Sequence, residues 1–370
     1  MNKKLLALAV AAALAPAAAM ADSGNVTIYG LMDASYDITD NGNGATTPGG
    51  TVLNGTRTNK VSSNNSRIGF KGNEDLGNGL SAVWQIESTI GSDGTAYDVN
   101  SRNTFVGLSS KTMGALTFGR QDSPYKVSTR AYDYFTDGLA DNRNLMGKGL
   151  LGFDIRPTDA VAYVSPDMSG FKAAVAYVAG AELANTSGQK KGDAWSFSGN
   201  YANGPLTAAL AYQRNKFGDA GTGTLGAIVI PGITFVDKTE KAWKLGVGYS
   251  FGDLMVNGVY EKTSDDFDIH VDHKAYTLGA KYKIGSNDLK LAYTKAGDLG
   301  NMSQTSAKQW ALGVDHNMSK RTKVYAQYVK LSNDANILYG LTGAGASGAV
   351  SAKGFDADPS AWSFGMKHSF

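Results

Sequence analysis

The chain has 370 residues, of which 42% are hydrophobic and 18% charged, and its formal net charge is +2. This composition excludes a disordered chain and a membrane protein built from apolar helices. Because the sequence contains no cysteine, disulfide bonds and thiolate metal sites are also excluded.

The N-terminus has the features of a secretory signal peptide. A basic start at 3–4 precedes an apolar stretch at 5–15, and residues 19–21, Ala-Met-Ala, form a small-residue cleavage motif. The apolar stretch is too short to span a bilayer. We therefore expect cleavage after residue 21 and a single mature domain at 22–370. Loss of Lys3 and Lys4 brings the net charge to zero, so we expect no nucleic-acid partner.

The rest of the chain consists of one predicted β-strand after another. Apolar and polar residues alternate with a period of two, for example along 243–251 and along 362–370. One face of each strand is apolar, and the other is small, glycine-rich and charged. This pattern predicts a closed barrel with lipid outside and water inside. The 8 prolines are few, which suits long ladders because proline removes a backbone donor.

The predicted connections alternate between short turns and long loops. Seven short turns and eight long loops imply about sixteen antiparallel strands of ~9–11 residues. In such barrels the short turns face the periplasm and the long loops face outward. The third long loop, at 121–159, is too long for an ordinary connection.

Four sequence motifs resemble those of Gram-negative general diffusion porins, especially the β-proteobacterial type. SRIGFKGNEDLGNGL at 66–80, followed by WQIES at 84–88, resembles the second hairpin of that family. NVTIYGLMD at 25–33 resembles its first strand, and GALTFGRQ at 114–121 resembles the strand before its third loop. The terminal Phe370 matches the last residue of the family, and the resemblance covers essentially the whole mature chain.

The resemblance implies a sixteen-stranded outer-membrane barrel that assembles as a homotrimer in lipid. Periplasmic chaperones and the barrel-insertion machinery would assemble it, the latter reading Phe370 as an insertion signal. Small ions and hydrophilic solutes would diffuse through passively, without a cofactor. In this family the third loop folds into the barrel and narrows it, which also explains why 121–159 contains several aromatic residues. The alternative is an external loop that is buried at a subunit contact.

The resemblance also predicts a pore constriction. Arg67, Arg102 and Arg156 match wall positions at which anion-preferring relatives carry an arginine cluster. Arg67 shares a face with Lys71, opposite Ile68 and Phe70, so its side chain is expected to point into the lumen. The alternative is that these arginines lie at the surface, paired with loop carboxylates. The further predicted members of the constriction are Lys71, Arg120, Asp122, Asp137 and Asp141. Facing charges would create a transverse field and a mild preference for anions.

Other functional classes remain open. A substrate-specific channel, an adhesin or an outer-membrane hydrolase would share the barrel. The four histidines, His270, His273, His316 and His368, form no recognisable Ser/His/acid arrangement, so we expect no catalytic residues. The acidic stretch 264–273 lacks a recognised metal-ligand spacing, so we interpret it as a solvated loop and expect no metal.

Overall fold

The structure is a computed structural model that describes residues 26–94, 98, 101–180, 192–218, 236–343 and 347–370. The predicted signal peptide lies outside these residues, and so do parts of the predicted loops at 91–102, 180–193, 216–240 and 332–360. In the part that the structure describes, no helix is long and apolar enough to cross a membrane.

The described residues form a barrel of sixteen antiparallel strands, as the alternating pattern predicts. The strands are β1 (Val26–Asp40), β2 (Arg57–Ser63 and Arg67–Gly77), β3 (Leu80–Thr89), β4 (Thr104–Ser110), β5 (Gly114–Arg120), β6 (Ala160–Val164), β7 (Phe171–Ala179), β8 (Asp193–Asn203), β9 (Leu206–Lys216), β10 (Thr239–Phe251), β11 (Leu254–Asp265), β12 (Lys274–Ile284), β13 (Asn287–Ala296), β14 (Ala307–Asn317), β15 (Thr322–Asn333) and β16 (Ser360–Ser369). Strand β2 counts once because both of its parts pair with β1. A two-residue ladder, Gly44–Ala45 with Val52–Leu53, lies in the first long loop.

The barrel closes where the first strand meets the last. Strand β1 pairs with β16 from Leu31 opposite Ser369 to Asp40 opposite Ser360. Beyond that ladder, the amide of Gly30 donates to the carbonyl of Phe370 at 3.1 Å, and the amide of Phe370 donates back at 3.2 Å. Every strand therefore has two partners, which removes the unpaired backbone groups that hydrocarbon cannot satisfy.

The two faces of the strands differ as the sequence pattern predicts. In β10, Trp243 and Leu245 are 38% and 44% exposed on the outer face, whereas Ala242 and Lys244 are 1% and 2% exposed on the lumen face. Neighbouring rings on the outer face form pairs, such as Tyr293 with Trp310 at 4.5 Å between centroids. Rings in this position are typical of the interfacial girdles of membrane barrels.

Seven short turns and eight long loops connect the strands, again as predicted. The β2–β3 turn is Asn78-Gly79, and both residues have positive φ (52° and 75°), as a two-residue type I′ hairpin requires. The shortest strands are β4, β5 and β6, with 7, 7 and 5 residues, and the third long loop connects β5 to β6. The barrel wall is therefore short at the two strands that this loop connects.

The apolar core lies inside the barrel, on the side of the long loops. Leu139 and Leu145 of the third loop belong to the same buried cluster as Ile337 and Leu341 of the eighth loop, and all four are at most 1% exposed. Since the strands turn their apolar side chains outward, the inward-folded loops supply most of the large residues of this core.

Candidate pore constriction

The third loop begins with a short helix, α1 (Pro124–Ser128), directly after β5. Its N-cap is Ser123, whose hydroxyl accepts from the amide of Lys126 at 3.2 Å, and Pro124 occupies the first helical position. Two 3-10 turns follow, at Arg130–Tyr132 and Asn142–Asn144. The loop is thus an ordered segment with its own caps.

Aromatic residues of this loop dock onto glycines of the lumen wall. The ring of Tyr132 lies against Gly246 of β10, that of Tyr134 against Gly279 of β12, and that of Phe135 against Gly313 of β14. A Cβ atom on these glycines would come within 2.8, 3.2 and 2.9 Å of the respective rings. The glycine-rich lumen face therefore provides room for the loop, and the predicted inward folding is confirmed.

Buried polar contacts anchor both arms of the third loop. Glu261 of β11 accepts from the hydroxyl of Tyr125 at 2.7 Å and from the amide of Gly147 at 2.8 Å. The ammonium of Lys244 donates to Asp154 at 2.8 Å and lies 4.0 Å from the centroid of the Tyr125 ring. These contacts tie both arms of the loop to β10 and β11.

A cavity of about 790 Å³ remains between the third loop and the opposite wall. Among the described residues that line it, eight are basic and only three are carboxylates, an excess of five positive charges. The basic residues are Arg67, Lys71, Arg102, Lys126, Arg130, Arg143, Arg156 and Lys367, and the carboxylates are Glu87, Asp122 and Asp137.

The wall side of this cavity is organised around Glu87 of β3. Its carboxylate accepts from Arg102 Nε at 2.5 Å and from the hydroxyl of Tyr29 at 2.9 Å, while Arg67 Nε lies 4.0 Å away. Arg102 also donates to the side chain of Asn65 at 2.8 Å. One carboxylate thus orients two arginines toward the lumen and neutralises only part of their charge.

Asp122 joins the wall and the loop at the base of α1. It lies 3.0 Å from Arg156 Nε and 2.8 Å from Lys126 Nζ. Burial opposes ionisation of Asp122, but Lys126 and Arg156 outweigh that effect and hold its pKa well below the usual range. The carboxylate therefore stays charged and fixes the two cations.

Asp137 and Asp141 are held by two arginines of the loop itself, Arg130 and Arg143. Asp137 lies 3.0 Å from Arg130 and 3.3 Å from Arg143. Asp141 is fully buried, lies 3.0 Å from Arg143 Nε, and accepts from two backbone amides. Burial opposes ionisation of Asp137, but nearby cations, Arg130 first, lower its pKa to about 2.

These loop cations change the predicted electrostatics. The sequence interpretation placed arginines on the wall and carboxylates on the loop, which would give a transverse field. In the structure, Lys126, Arg130 and Arg143 put positive charge on the loop side as well. All three are visible in the sequence of 121–159, but no periodic pattern shows which loop side chains face the lumen.

Comparison with known proteins decides the family. The family model described as Gram-negative porin matches residues 7–336. The chain belongs to this family. Outer membrane porin protein 32 of Delftia acidovorans is 32% identical to this porin over 353 residues, with 91% of this chain and 92% of that protein covered. Major outer membrane protein P.IB of Neisseria gonorrhoeae is 29% identical, with 87% and 91% covered.

Solved structures show the same architecture. The anion-selective porin from Comamonas acidovorans superposes with a TM-score of 0.72 and 25% identity, covering 93% of this porin and 99% of that chain. OmpT, an outer membrane protein of Vibrio cholerae, superposes with a TM-score of 0.67 and 18% identity, covering 95% and 99%. This porin is therefore a multi-pass β-barrel of the outer membrane and a diffusion channel, with its short turns on the periplasmic side.

Two further predicted constriction residues lie in different places. Lys71 of the porin lines the cavity, and its ammonium is 5.1 Å from the centroid of the Tyr29 ring. Arg120 does not line it. Arg120 lies on the same face of β5 as the exposed residues Leu116 and Phe118, which is the outer face. The next residue, Gln121, lines the cavity instead. We therefore leave Arg120 out of the proposed constriction.

The acidic stretch of the sixth loop brings three potential ligand groups together. Ligand atoms of Asp265, His270 and Asp272 lie within 4.8 Å of one another. Asp265 accepts from the amide of Val271 at 2.9 Å and pairs with His270 Nδ1 at 2.8 Å. Hydrogen bonds within the loop account for this arrangement, and it lies apart from the constriction cavity of the porin.

Proposed function

We propose that this porin conducts small hydrophilic solutes and ions passively, with a preference for anions set at the constriction. The observation that carries the proposal is the excess of basic over acidic side chains around the cavity of about 790 Å³. The structural relative whose title describes an anion-selective porin supports it.

The selectivity arises from charge focused in a narrow passage. Low-dielectric walls and a polar lining amplify fixed charges, so that the local concentration of anions rises and that of cations falls. Arginine suits this role because its charge persists at all accessible pH values. Arg67 of the wall and Arg130 of the loop meet at the same carboxylate, Asp137, at 3.7 and 3.0 Å, so basic side chains line the passage from both the wall and the loop. Solutes are sorted by size and charge, and no bond is made or broken.

Reversal potentials in a KCl gradient test this proposal. The variants Arg67→Ala and Arg156→Ala should each lower the chloride-to-potassium permeability ratio by about twofold. Arg57→Ala is the matched control, because Arg57 is largely exposed on the external part of β2 and pairs with Asp40. Unchanged ratios in both constriction variants would exclude the proposed selectivity site.

Liposome swelling tests the breadth of the channel. Sugars of graded size should enter at rates that fall smoothly with size. Saturation by one sugar alone would favour a substrate-specific channel instead.

We also propose that residues 1–21 are removed on export, that the mature porin is a homotrimer, and that periplasmic chaperones and the barrel-insertion machinery assemble it, the latter reading the terminal Phe370. N-terminal sequencing of the outer-membrane form should begin at Asp22. Chemical cross-linking in native membranes should give a trimer, and deletion of Phe370 should reduce barrel assembly. A species that keeps residues 1–21 would contradict the first expectation.

A further inference from the structure

Seven consecutive strands, β9 to β15, carry the same short motif on their outer face. Each has an aromatic and a basic residue two positions apart, with the basic residue nearer the long loop. In β10 the pair is Trp243 and Lys241, and in β11 it is Tyr260 and Lys262. We call the seven basic residues the basic belt: Arg214, Lys241, Lys262, Lys274, Lys295, Lys308 and Lys330.

The pairing register places the belt residues of neighbouring strands side by side. Three pairs stand directly opposite one another: Arg214 with Lys241, Lys262 with Lys274, and Lys295 with Lys308. Like charges in directly opposed positions destabilise a sheet. Because the arrangement recurs on three neighbouring strand pairs, it indicates that an anion outside the protein offsets the repulsion.

Carboxylates of the protein offset only the two ends of the belt. Arg214 lies 3.4 Å from Asp193, and Lys330 lies 3.9 Å from Asp358. None of the outward-facing residues of β10 to β14 is an aspartate or a glutamate. Among the described residues, the five lysines between the two ends have no carboxylate oxygen within 4.0 Å. Asp266, in the loop after β11, accepts from a backbone amide at 2.6 Å instead.

The belt occurs at one end of the barrel only. From the aromatic residue of the motif to the short turn, the outward-facing residues of β10 to β14 include no lysine or arginine. Exposed Tyr249, Phe251 and Tyr282 lie there instead. If lysines merely hydrated the strand ends, they would be expected at both ends. Because the long loops face outward, the belt lies at the external leaflet of the membrane.

Aromatic rings beside the belt mark the depth of the membrane surface. The ring centroids of Trp243 and Tyr260 are 5.3 Å apart, and those of Tyr293 and Trp310 are 4.5 Å apart. Such rings lie at the edge of the hydrocarbon, at the level of the lipid headgroups. Two residues along a strand span ~7 Å, so the belt lies just beyond the rings, where charged headgroup atoms are found.

We propose that the basic belt binds anionic lipids of the external leaflet through their phosphate groups, with lipids that carry phosphate monoesters as the preferred occupants. A phosphate oxygen accepts charge-assisted hydrogen bonds from the opposed lysines, and the acyl chains lie on the aromatic and aliphatic residues of the same strands. Each phosphate thereby offsets the repulsion within a belt pair. This inference is independent of the proposed anion preference, because the belt lies outside the barrel.

Binding of lipid A, a glycolipid with phosphate monoesters, tests the belt. The porin is folded in a neutral detergent, and the dissociation constant for lipid A is compared with that for dephosphorylated lipid A. The phosphorylated lipid should bind more tightly, and inorganic phosphate at the same concentration should not displace it. The triple variant Lys241→Gln, Lys274→Gln, Lys308→Gln should raise the dissociation constant about tenfold or more. The corresponding triple arginine variant, which keeps the charge, should retain the binding.

The matched control removes three lysines from the end of the barrel that carries the short turns. Lys111→Gln, Lys283→Gln and Lys320→Gln together change the net charge equally, at exposed positions, and should leave the dissociation constant unchanged. Equal affinity for dephosphorylated lipid A, displacement by inorganic phosphate, an unchanged triple belt variant, or an equal loss in the control would each overturn the inference. Loss of the cross-linked trimer in the triple belt variant would also overturn it, since the belt would then be a subunit contact.

Discussion

Tyr132 of the third loop lies against Gly246 of the lumen wall, where a Cβ atom would come within 2.8 Å of the ring. Gly246 belongs to β10, and Arg67 belongs to β2, eight strands away in a barrel of sixteen. The loop is thus held against the wall opposite Arg67 and reaches across the lumen through Asp137, which lies 3.7 Å from Arg67. Residues of both the loop and the Arg67 wall line the cavity. Because Gly246 has no side chain, the loop lies close to β10. The rest of the lumen, between the loop and the opposite wall, therefore stays open.

Gly246→Val should therefore narrow the pore. The added methyl groups push Tyr132 away from β10 and toward the arginine wall, so single-channel conductance should fall. Overpacking at such a site also costs about 1–3 kcal/mol, which unfolding in detergent should detect. Gly258→Val in β11 is the control, because Gly258 faces outward and its Cβ would meet the flexible Leu278 side chain at 3.2 Å and make an ordinary contact with the Thr277 carbonyl at 3.6 Å. Equal conductance in the two variants would contradict the docking role of Gly246.

The barrel itself could be predicted from the sequence because each strand repeats the same alternation of apolar residues that face lipid and polar or small residues that face the water-filled lumen. Alternation along 243–251 places Lys244 on the lumen face, and the same reasoning correctly aims Arg67 into the cavity. Loops have no such period. The sequence therefore did not show that Arg130 and Arg143 clamp Asp137 and Asp141, because these contacts depend on two 3-10 turns and on the positive φ of Asp137.

Glu87→Gln should increase the preference for anions. Glu87 is the carboxylate that partly neutralises Arg102 and Arg67 on the wall. Glutamine keeps the shape and an acceptor for Arg102 but removes the negative charge, so the chloride-to-potassium ratio should rise by about twofold, opposite in sign to Arg67→Ala. Reversal potentials measure the change, and Glu74→Gln, at an exposed position near the β2–β3 turn, serves as control. A shift toward cations would mean that Glu87 mainly holds the arginines in place.

Asp141→Asn should loosen the third loop. The buried carboxylate binds Arg130 and Arg143 and accepts from two backbone amides, so its loss leaves both cations with Asp137 as their one remaining ion-pair partner among the described residues. Breaking a buried ion pair in this way costs about 3–5 kcal/mol. We expect noisier open-channel current and faster proteolysis within 121–159, while the barrel remains resistant. Asp334→Asn, in the eighth loop, should have neither effect. A quiet channel in Asp141→Asn would show that the loop is held by its aromatic contacts alone.

The contribution of Asp137 to the anion preference should stay constant over most of the acid range and then change. The pKa of Asp137 is lowered to about 2 because Arg130 and other cations outweigh the effect of burial. A carboxyl with a lowered folded pKa stabilises the fold above its unfolded pKa, near 4, and that stabilisation, roughly 2 kcal/mol, is lost as the pH falls toward 2. The contribution of Asp137 to the reversal potential should therefore be flat from pH 7 to about pH 4, whereas Asp133, whose pKa burial raises to about 7, already gains its proton in that range. Below that, protonation removes negative charge from the cavity and the chloride-to-potassium ratio should increase.

Asp137→Asn, which tolerates the positive φ of 69°, should already show the higher ratio at pH 7 and a smaller rise in acid. A difference between the wild type and Asp137→Asn that changes between pH 6 and pH 4 would contradict the tight pairing of Asp137 with the loop arginines.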